Sequence, residues 1–291
     1  MRGFGLRTEY DTLNAVMLYR PGPEIGNHPN PPLVQHLAPI DYPALTREFE
    51  GIIGTYEARG ISVLLIDSAP LSADRQYLYN MMYCRDLLFM TPEGAILSNM
   101  AHSTRSSEVL YAARTLERHG IPVLHRVSGG GRFEGADAIW IGEKLVMMGA
   151  GGRTNREALD QIKGVLRRMD VDCIAVPYRA VRAQHLLGAV QIVDRDLALV
   201  RHELVDREVL RILEDRRFTI VPVPENAEVR ARQAMNIVTI APRTVMMTNH
   251  CPQTRELFQR NGLTVAAELE LTQLMNGAGG LACATGIIAR G

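Results

Sequence analysis

The sequence predicts an α/β fold made of five β-β-α-β modules set around a pseudo-fivefold axis, and three observations predict it. Short β-branched segments recur at intervals of about 45 to 60 residues, the spacing of repeat architectures. Each follows a charged, amphipathic stretch, and most of those stretches follow two apolar runs joined by a short polar turn. No such unit can bury a core alone. A ring with helices outside and the first strand of each unit lining a central site, a propeller-like arrangement, buries them all.

Taken in order, helices are expected over Tyr42–Arg59, Ser106–His119, Asn155–Met169, Asp206–Arg216 and Pro252–Asn261, where helix formers carry charged faces and end near Gly, Asn or Asp. The strands after them are Gly60–Leu65, Gly120–Leu124, Val171–Val176, Arg217–Val221 and Gly262–Val265. The hairpins before them are Leu87–Met90 with Ala95–Leu97, Ala138–Ile141 with Leu145–Met148, Ala189–Val193 with Leu197–Val200, and Ile237–Ile240 with Thr244–Met247. Asp67–Tyr79 links the first two modules, and Ala284–Ala289 is the last strand. With no linker or shift in composition, residues 1–291 read as one domain.

Composition excludes several functions. Thirty-two basic residues balance thirty-two acidic ones, so no global field favours nucleic acid or an anionic membrane. No apolar run reaches the roughly 18 residues of a membrane helix, and Glu9, Tyr10 and Asp11 interrupt the N-terminus where a signal peptide would be apolar. Cys84, Cys173, Cys251 and Cys283 form no CxxC pair, which suits a reducing, cytoplasmic setting. No metal-ligand spacing occurs and no cofactor motif is expected: Ser128–Gly131 lacks the Gly-Lys-Ser/Thr of a phosphate loop and reads as a hinge or lid. A homo-oligomer is compatible with all of this.

Chemistry concentrates at one register of the repeat. Asp86, Glu134 with Asp137, and His185 open the first strands of successive modules, and Cys283 opens the last strand. In a ring, equivalent positions meet near the axis. Cys283 is framed by Gly277–Ala282, whose small side chains let a ligand approach the sulfur. Arg105 and Arg153 each lie 19 positions after a carboxylate (86 to 105, 134 to 153), in loops at helix starts suited to a carboxylate ligand. Carboxylates at the axis and arginines at the rim fit a zwitterion with a distal cation. Cys251, after His250 and at a helix start, is the alternative nucleophile, but its flanks read as a helix-entry turn; Cys84 and Cys173 read as packing residues.

These stretches resemble the guanidine-modifying enzymes of the pentein fold: arginine deiminases, dimethylarginine dimethylaminohydrolases and amidinotransferases. Leu13–Gly22 resembles the deiminase opening strand, Asn80–Asp86 the family's Asn-x-x-Phe-Thr-Arg-Asp, and Phe133–Asp137 its Glu-Gly-Gly-Asp. Gly152–Asn155, His185-Leu186 and Gly279–Cys283 match the remaining motifs, six in order along nearly the whole chain. The resemblance implies that Cys283 is the nucleophile, His185 the general acid and base, Glu134 and Asp86 the guanidinium carboxylates, Arg105 and Arg153 the α-carboxylate clamp, and Asn80 a residue orienting the amino-acid end.

The implied activity is hydrolysis at the guanidinium carbon of arginine or a derivative, without a cofactor and with a guanidino amino acid as the small-molecule partner. The nearest alternative is an amidinotransferase; a non-catalytic pentein-fold binding factor would not need the Cys-His-carboxylate set. One position departs from the deiminases. Leu187 stands where they carry an Asp, and an apolar side chain there suits a substituted guanidine, as in the dimethylarginine hydrolases.

Overall fold

A computed structural model describes residues 3–27, 31–69, 78–177 and 183–291. Most of the Asp67–Tyr79 link lies outside these residues.

Among the described residues, fifteen strands form five separate three-stranded sheets. The first joins β1 (Leu13–Leu18) and β2 (Ser62–Leu65) to β15 (Gly286–Arg290), so both ends of the ring lie in one sheet. The others are β3 (Leu88–Met90), β4 (Ala95–Leu97) and β5 (Val123–Arg126); β6 (Ala138–Gly142), β7 (Leu145–Ala150) and β8 (Asp172–Pro177); β9 (Val190–Asp194), β10 (Leu197–Val200) and β11 (Thr219–Pro222); and β12 (Val238–Ala241), β13 (Thr244–Thr248) and β14 (Thr264–Leu269). In each, the middle strand runs antiparallel to the inner strand and parallel to the outer one. The parallel step needs a crossover. It is made by α1 (Tyr42–Glu57), α2 (Glu108–Arg118), α3 (Arg156–Arg167), α4 (Arg207–Asp215) and α6 (Pro252–Arg260). Short helices α5 (Ala227–Ala231), α7 (Thr272–Asn276) and α8 (Leu281–Ala284) complete the set.

Local chemistry sets the helix ends. Asp41 and Asn155 accept from the third residue on, capping α1 and α3. Every crossover helix then turns into its outer strand through a left-handed residue: Gly60, Gly120, Asp170, Arg217 and Gly262. Glycine does this without steric cost, Asp170 is of a type that visits this region, and Arg217 adopts it against its own preference.

Burial follows the modules. Every residue of β3 and β4 is buried, as are the first four of β6 and of β9, whereas outer strands such as β5 are partly exposed. Inner strands face the axis, where neighbouring modules meet: Trp140 stacks on Phe89 with ring centroids 5.7 Å apart. The expected α/β-propeller is thus present as five modules whose ladders remain separate, with β15 returning to β1.

One expected element differs. Cys283 does not open the last strand but sits in the helical turn α8, ahead of β15. The Ser128–Gly131 loop is not hinge-like either: α3 ties it down through Glu157 to Gly130 N, Asn155 to Gly130 O and Gln161 to Ser128.

Candidate active site

Each inner strand is entered through a tight turn, and each turn delivers one polar group. Asp86 lies in the turn Cys84–Leu87 before β3, Glu134 caps Gly135–Asp137 before β6, and His185 caps Leu186–Gly188 before β9. Cys283 lies in α8 before β15. The fifth module obeys the same rule with Asn236, just before β12, a residue the sequence reading missed although the repeat points to it.

Asp86, His185, Asn236 and Cys283 line one cavity of about 500 Å³, together with Asn80, Arg105, Arg153 and Leu187. Glu134, fully buried, joins it through His185: its Oε2 lies 2.6 Å from His185 Nε2. Asp86 Oδ1 lies 3.7 Å from His185 Nδ1 and is buried without a hydrogen-bond partner. Such an orphaned acceptor is costly unless a ligand meets it. Asn236 grips the cysteine twice: Cys283 N donates to its Oδ1 at 3.1 Å, and its Nδ2 donates to Sγ at 3.0 Å. Gly280 is needed for this, because a Cβ there would come within 2.7 Å of Asn236 Cγ.

Asp137 does not reach the cavity. It accepts from Thr154 Oγ1 at 2.6 Å and Leu186 N at 3.0 Å, so it braces the histidine turn. Tyr83 likewise fixes the loop before Cys283, donating to Leu274 O and accepting from Gly279 N.

The two arginines part company. Arg105 was expected at the rim, free to clamp a carboxylate; it is instead buried. Nη1 donates to Asp86 at 2.7 Å, Nε to Glu108 at 2.9 Å, and Nη2 to the carbonyl of Asn80 at 3.1 Å. Glu108, three positions on and fully buried, is what draws it inward. Arg153 keeps a 22% exposed side chain and, among the described residues, a single ion pair, to Glu134 at 3.2 Å. A third arginine was missed: Arg201 follows β10 as Arg153 follows β7, lines the cavity, and forms a two-pronged pair with Glu225 at 2.6 and 2.7 Å. Asn80 donates to Val34 O at 2.8 Å. Leu187 is buried in the wall beside His185.

The charges set the resting protonation. Burial alone would lower the His185 pKa, but Asp86, the Glu134 hydrogen bond and Asp137 hold it up at about 9. Burial would raise Glu134, but the His185 hydrogen bond and charge, with Arg105 and Arg153, hold it down at about 2. For Cys283, burial and the Asp86 charge push the thiol pKa up, against the Asn236 hydrogen bond. Cys251 is raised to about 11 by burial, as suits a packed helix-entry residue. No close metal-ligand pair is visible in the sequence, yet folding brings one ligand atom each of Asp86, Glu134 and His185 within 4.8 Å of one another. Within this cluster Glu134 and His185 hold each other in the charged form.

A family model described as arginine deiminase matches residues 76–214. The N(G),N(G)-dimethylarginine dimethylaminohydrolase of Streptomyces coelicolor is 23% identical over 84% of this chain and 85% of its own. The arginine deiminase of Streptococcus uberis is 21% identical over 78% of this chain and 64% of its own. An uncharacterized protein of Aeropyrum pernix is 24% identical over 65% of each chain, so two of these three relatives are spanned for slightly under two thirds of their length. Among solved structures, the Pseudomonas aeruginosa dimethylarginine dimethylaminohydrolase complexed with citrulline superposes with a TM-score of 0.75 at 17% identity, over 96% of this chain and all of that one. The amidinotransferase SxtG of Microseira wollei, from saxitoxin biosynthesis, gives 0.79 at 15% identity over 99% and 97%. With five β-β-α-β modules and superpositions over nearly its whole length, the chain has the pentein fold, and its middle matches the arginine deiminase family model.

Proposed function

We propose that residues 1–291 form one catalytic unit that hydrolyses the guanidinium carbon of arginine or a substituted arginine, with Cys283 as nucleophile. The carrying observation is the buried, unpartnered Asp86 Oδ1 beside Glu134, His185 and the Cys283 thiol. A guanidinium supplies the donors that Asp86 lacks. Its positive charge also offsets the Asp86 charge, which together with burial holds the thiol protonated, so substrate arrival favours release of the thiol proton to bulk water and leaves the thiolate nucleophile.

Thiolate attack on the guanidinium carbon gives a tetrahedral adduct. His185, resting as an imidazolium, gives its proton to the departing amine as the C–N bond breaks. The neutral imidazole then takes a proton from water, which adds to the S-linked thiouronium carbon; the C–S bond breaks, and a ureido product leaves with the thiolate restored. Glu134 holds His185 in place throughout. Arg153 meets the substrate carboxylate, while Arg105 orients Asp86 from behind and Asn80 supports the amino-acid end. Four cysteines, none in a disulfide, support a cytoplasmic setting. No helix among the described residues is long and apolar enough to cross a membrane.

Amidino transfer to an amine is the second reading, favoured by the likeness to SxtG and by a cavity that continues past Leu187 to Arg201 and Glu225, where an acceptor could sit. A panel of arginine, Nω-methylarginines, agmatine and other guanidines, with and without amine acceptors, separates the two by mass spectrometry. Hydrolysis is expected to give ureido products regardless of acceptor; acceptor-dependent new guanidines would establish transfer. Cys283→Ser is expected to abolish turnover with the fold retained, and iodoacetamide inactivation to track Cys283 labelling. Tracking of Cys251 instead would reject the assignment.

A further inference from the structure

A second, much smaller cavity of about 20 Å³ lies against the first, and Leu187, Gln191 and Ala282 line both. Ile139 of β6, Ile192 of β9, Val238 of β12 and Ile287 of β15 contribute to it, so it sits where the inner strands converge on the axis. Its walls are mostly aliphatic, yet Glu9, Arg85 and Arg290 also line it. Two guanidinium groups therefore share one carboxylate.

That carboxylate is already taken. Arg85, 7% exposed, donates Nη2 to both Glu9 oxygens at 3.0 and 3.1 Å, and Glu9 Oε1 also accepts from Trp140 N at 3.2 Å. Among the described residues, Arg290 has only neutral hydrogen-bond partners: Nη1 donates to Asp11 O at 2.7 Å and Nη2 to Thr239 O at 2.8 Å. Its Nε is buried and has no hydrogen-bond partner. An arginine does not shed its proton to escape such a site, so the positive charge remains and needs a counterion. Burial, with Arg85 adding and Glu9 opposing, accordingly depresses the Arg290 pKa to about 10.

We propose that this cavity is a buried halide site, occupied by chloride under ordinary conditions and held by Arg290 with Arg85. Size selects a monatomic ion: a single water-sized particle needs roughly 10–15 Å³ by the same measure, so there is no room for phosphate, sulfate or a carboxylate. Aliphatic walls select against fluoride, which sheds water reluctantly. A water molecule would satisfy Nε but leave the charge unbalanced. The ion sits against Ala282 and Thr285, either side of Cys283, and ties β15 to the inner strands of the other modules.

Thermal unfolding of the whole chain in sodium chloride, bromide and gluconate at constant ionic strength tests this, together with bromide-soaked crystals measured at the bromine absorption edge. Chloride and bromide are expected to raise Tm saturably by a few degrees over gluconate. An anomalous peak is expected within hydrogen-bonding reach of Arg290 Nε. Arg290→Met is expected to erase the halide-specific rise. Density at the site without anomalous signal, which means water, would overturn the proposal, as would equal Tm in chloride and gluconate. The bromide measurement needs no variant, so a methionine variant that does not fold leaves the test intact.

Discussion

Glu134 and His185 decide when the site can work, because each holds the other in its charged form. The His185 pKa is raised from 6.5 to about 9, so its contribution to stability is complete below pH 6.5 and is lost as pH rises through 9. The Glu134 pKa is lowered from 4.5 to about 2, so its contribution is present above pH 4.5 and is lost as pH falls through 2. The proposed mechanism needs the imidazolium together with a thiolate at Cys283, whose own pKa is raised. The pH profile of kcat/KM is therefore expected to climb on the alkaline side and fall as His185 deprotonates near 9. Glu134→Gln removes an anion from the imidazolium and is expected to move the falling limb to lower pH and cost at least about 10²-fold in kcat/KM. A falling limb that stays in place would assign it to another group. Leu187→Asp is expected to shift preference from Nω-methylated towards unsubstituted arginine, and to lower Tm without ligand because a buried carboxylate lacks a partner. Comparison of kcat/KM for both substrates in both proteins reads this directly; an unchanged ratio would remove Leu187 from the guanidine pocket.

Elements explain why two arginines of equal spacing do different work. Both follow a middle strand, but Arg105 meets Glu108 at the start of α2 and folds inward, whereas Arg153 precedes α3 and keeps one ion pair. Arg105→Met leaves Asp86 and Glu108 buried and uncompensated, with an expected loss of about 3–5 kcal/mol in chemical denaturation. Arg153→Ala is expected to leave stability nearly unchanged and to raise KM for arginine about one to two decades while sparing agmatine, which lacks the carboxylate. If agmatine suffers equally, Arg153 does not bind that group. The strands and crossover helices were legible because burial imposes periods that survive in sequence. The Gly277–Gly286 stretch was not: small residues carry no period, and Cys283 was placed on a strand when it rides a helical turn. Asn236 was within reach of the repeat rule, but an amide carries no charge to attract notice. Nothing in a loop arginine's own letter tells inward from outward; for Arg105 the signal lay in Glu108, three positions on.

At the scale of the whole molecule, five ladders stay separate, and β15 beside β1 brings the first and last strands into one sheet. The five polar groups that the turns deliver, Asp86, Glu134, His185, Asn236 and Cys283, come from five different modules, so the candidate site depends on all of them more than on any one sheet. Deleting residues 286–291 leaves β1 without its antiparallel neighbour and removes Arg290 from the axis. The expected outcome is loss of the cooperative thermal transition seen by circular dichroism, not a modest drop in Tm; a sharp transition in the shortened chain would show that four modules suffice.

The place of the cysteine in the chain has a consequence for biosynthesis. Domains generally acquire structure from the N-terminal end as they leave the ribosome. Asp86, Glu134 and His185 are made early, but the sulfur arrives on the turn leading into the strand that completes the first sheet. Under the proposed mechanism, a nascent chain can thus hold its anions and imidazole around a guanidinium and still lack the sulfur that bonds to it. Chemical competence is then conferred only when β15 joins the first sheet, and ribosome-stalled chains ending before residue 283 are expected to be inert.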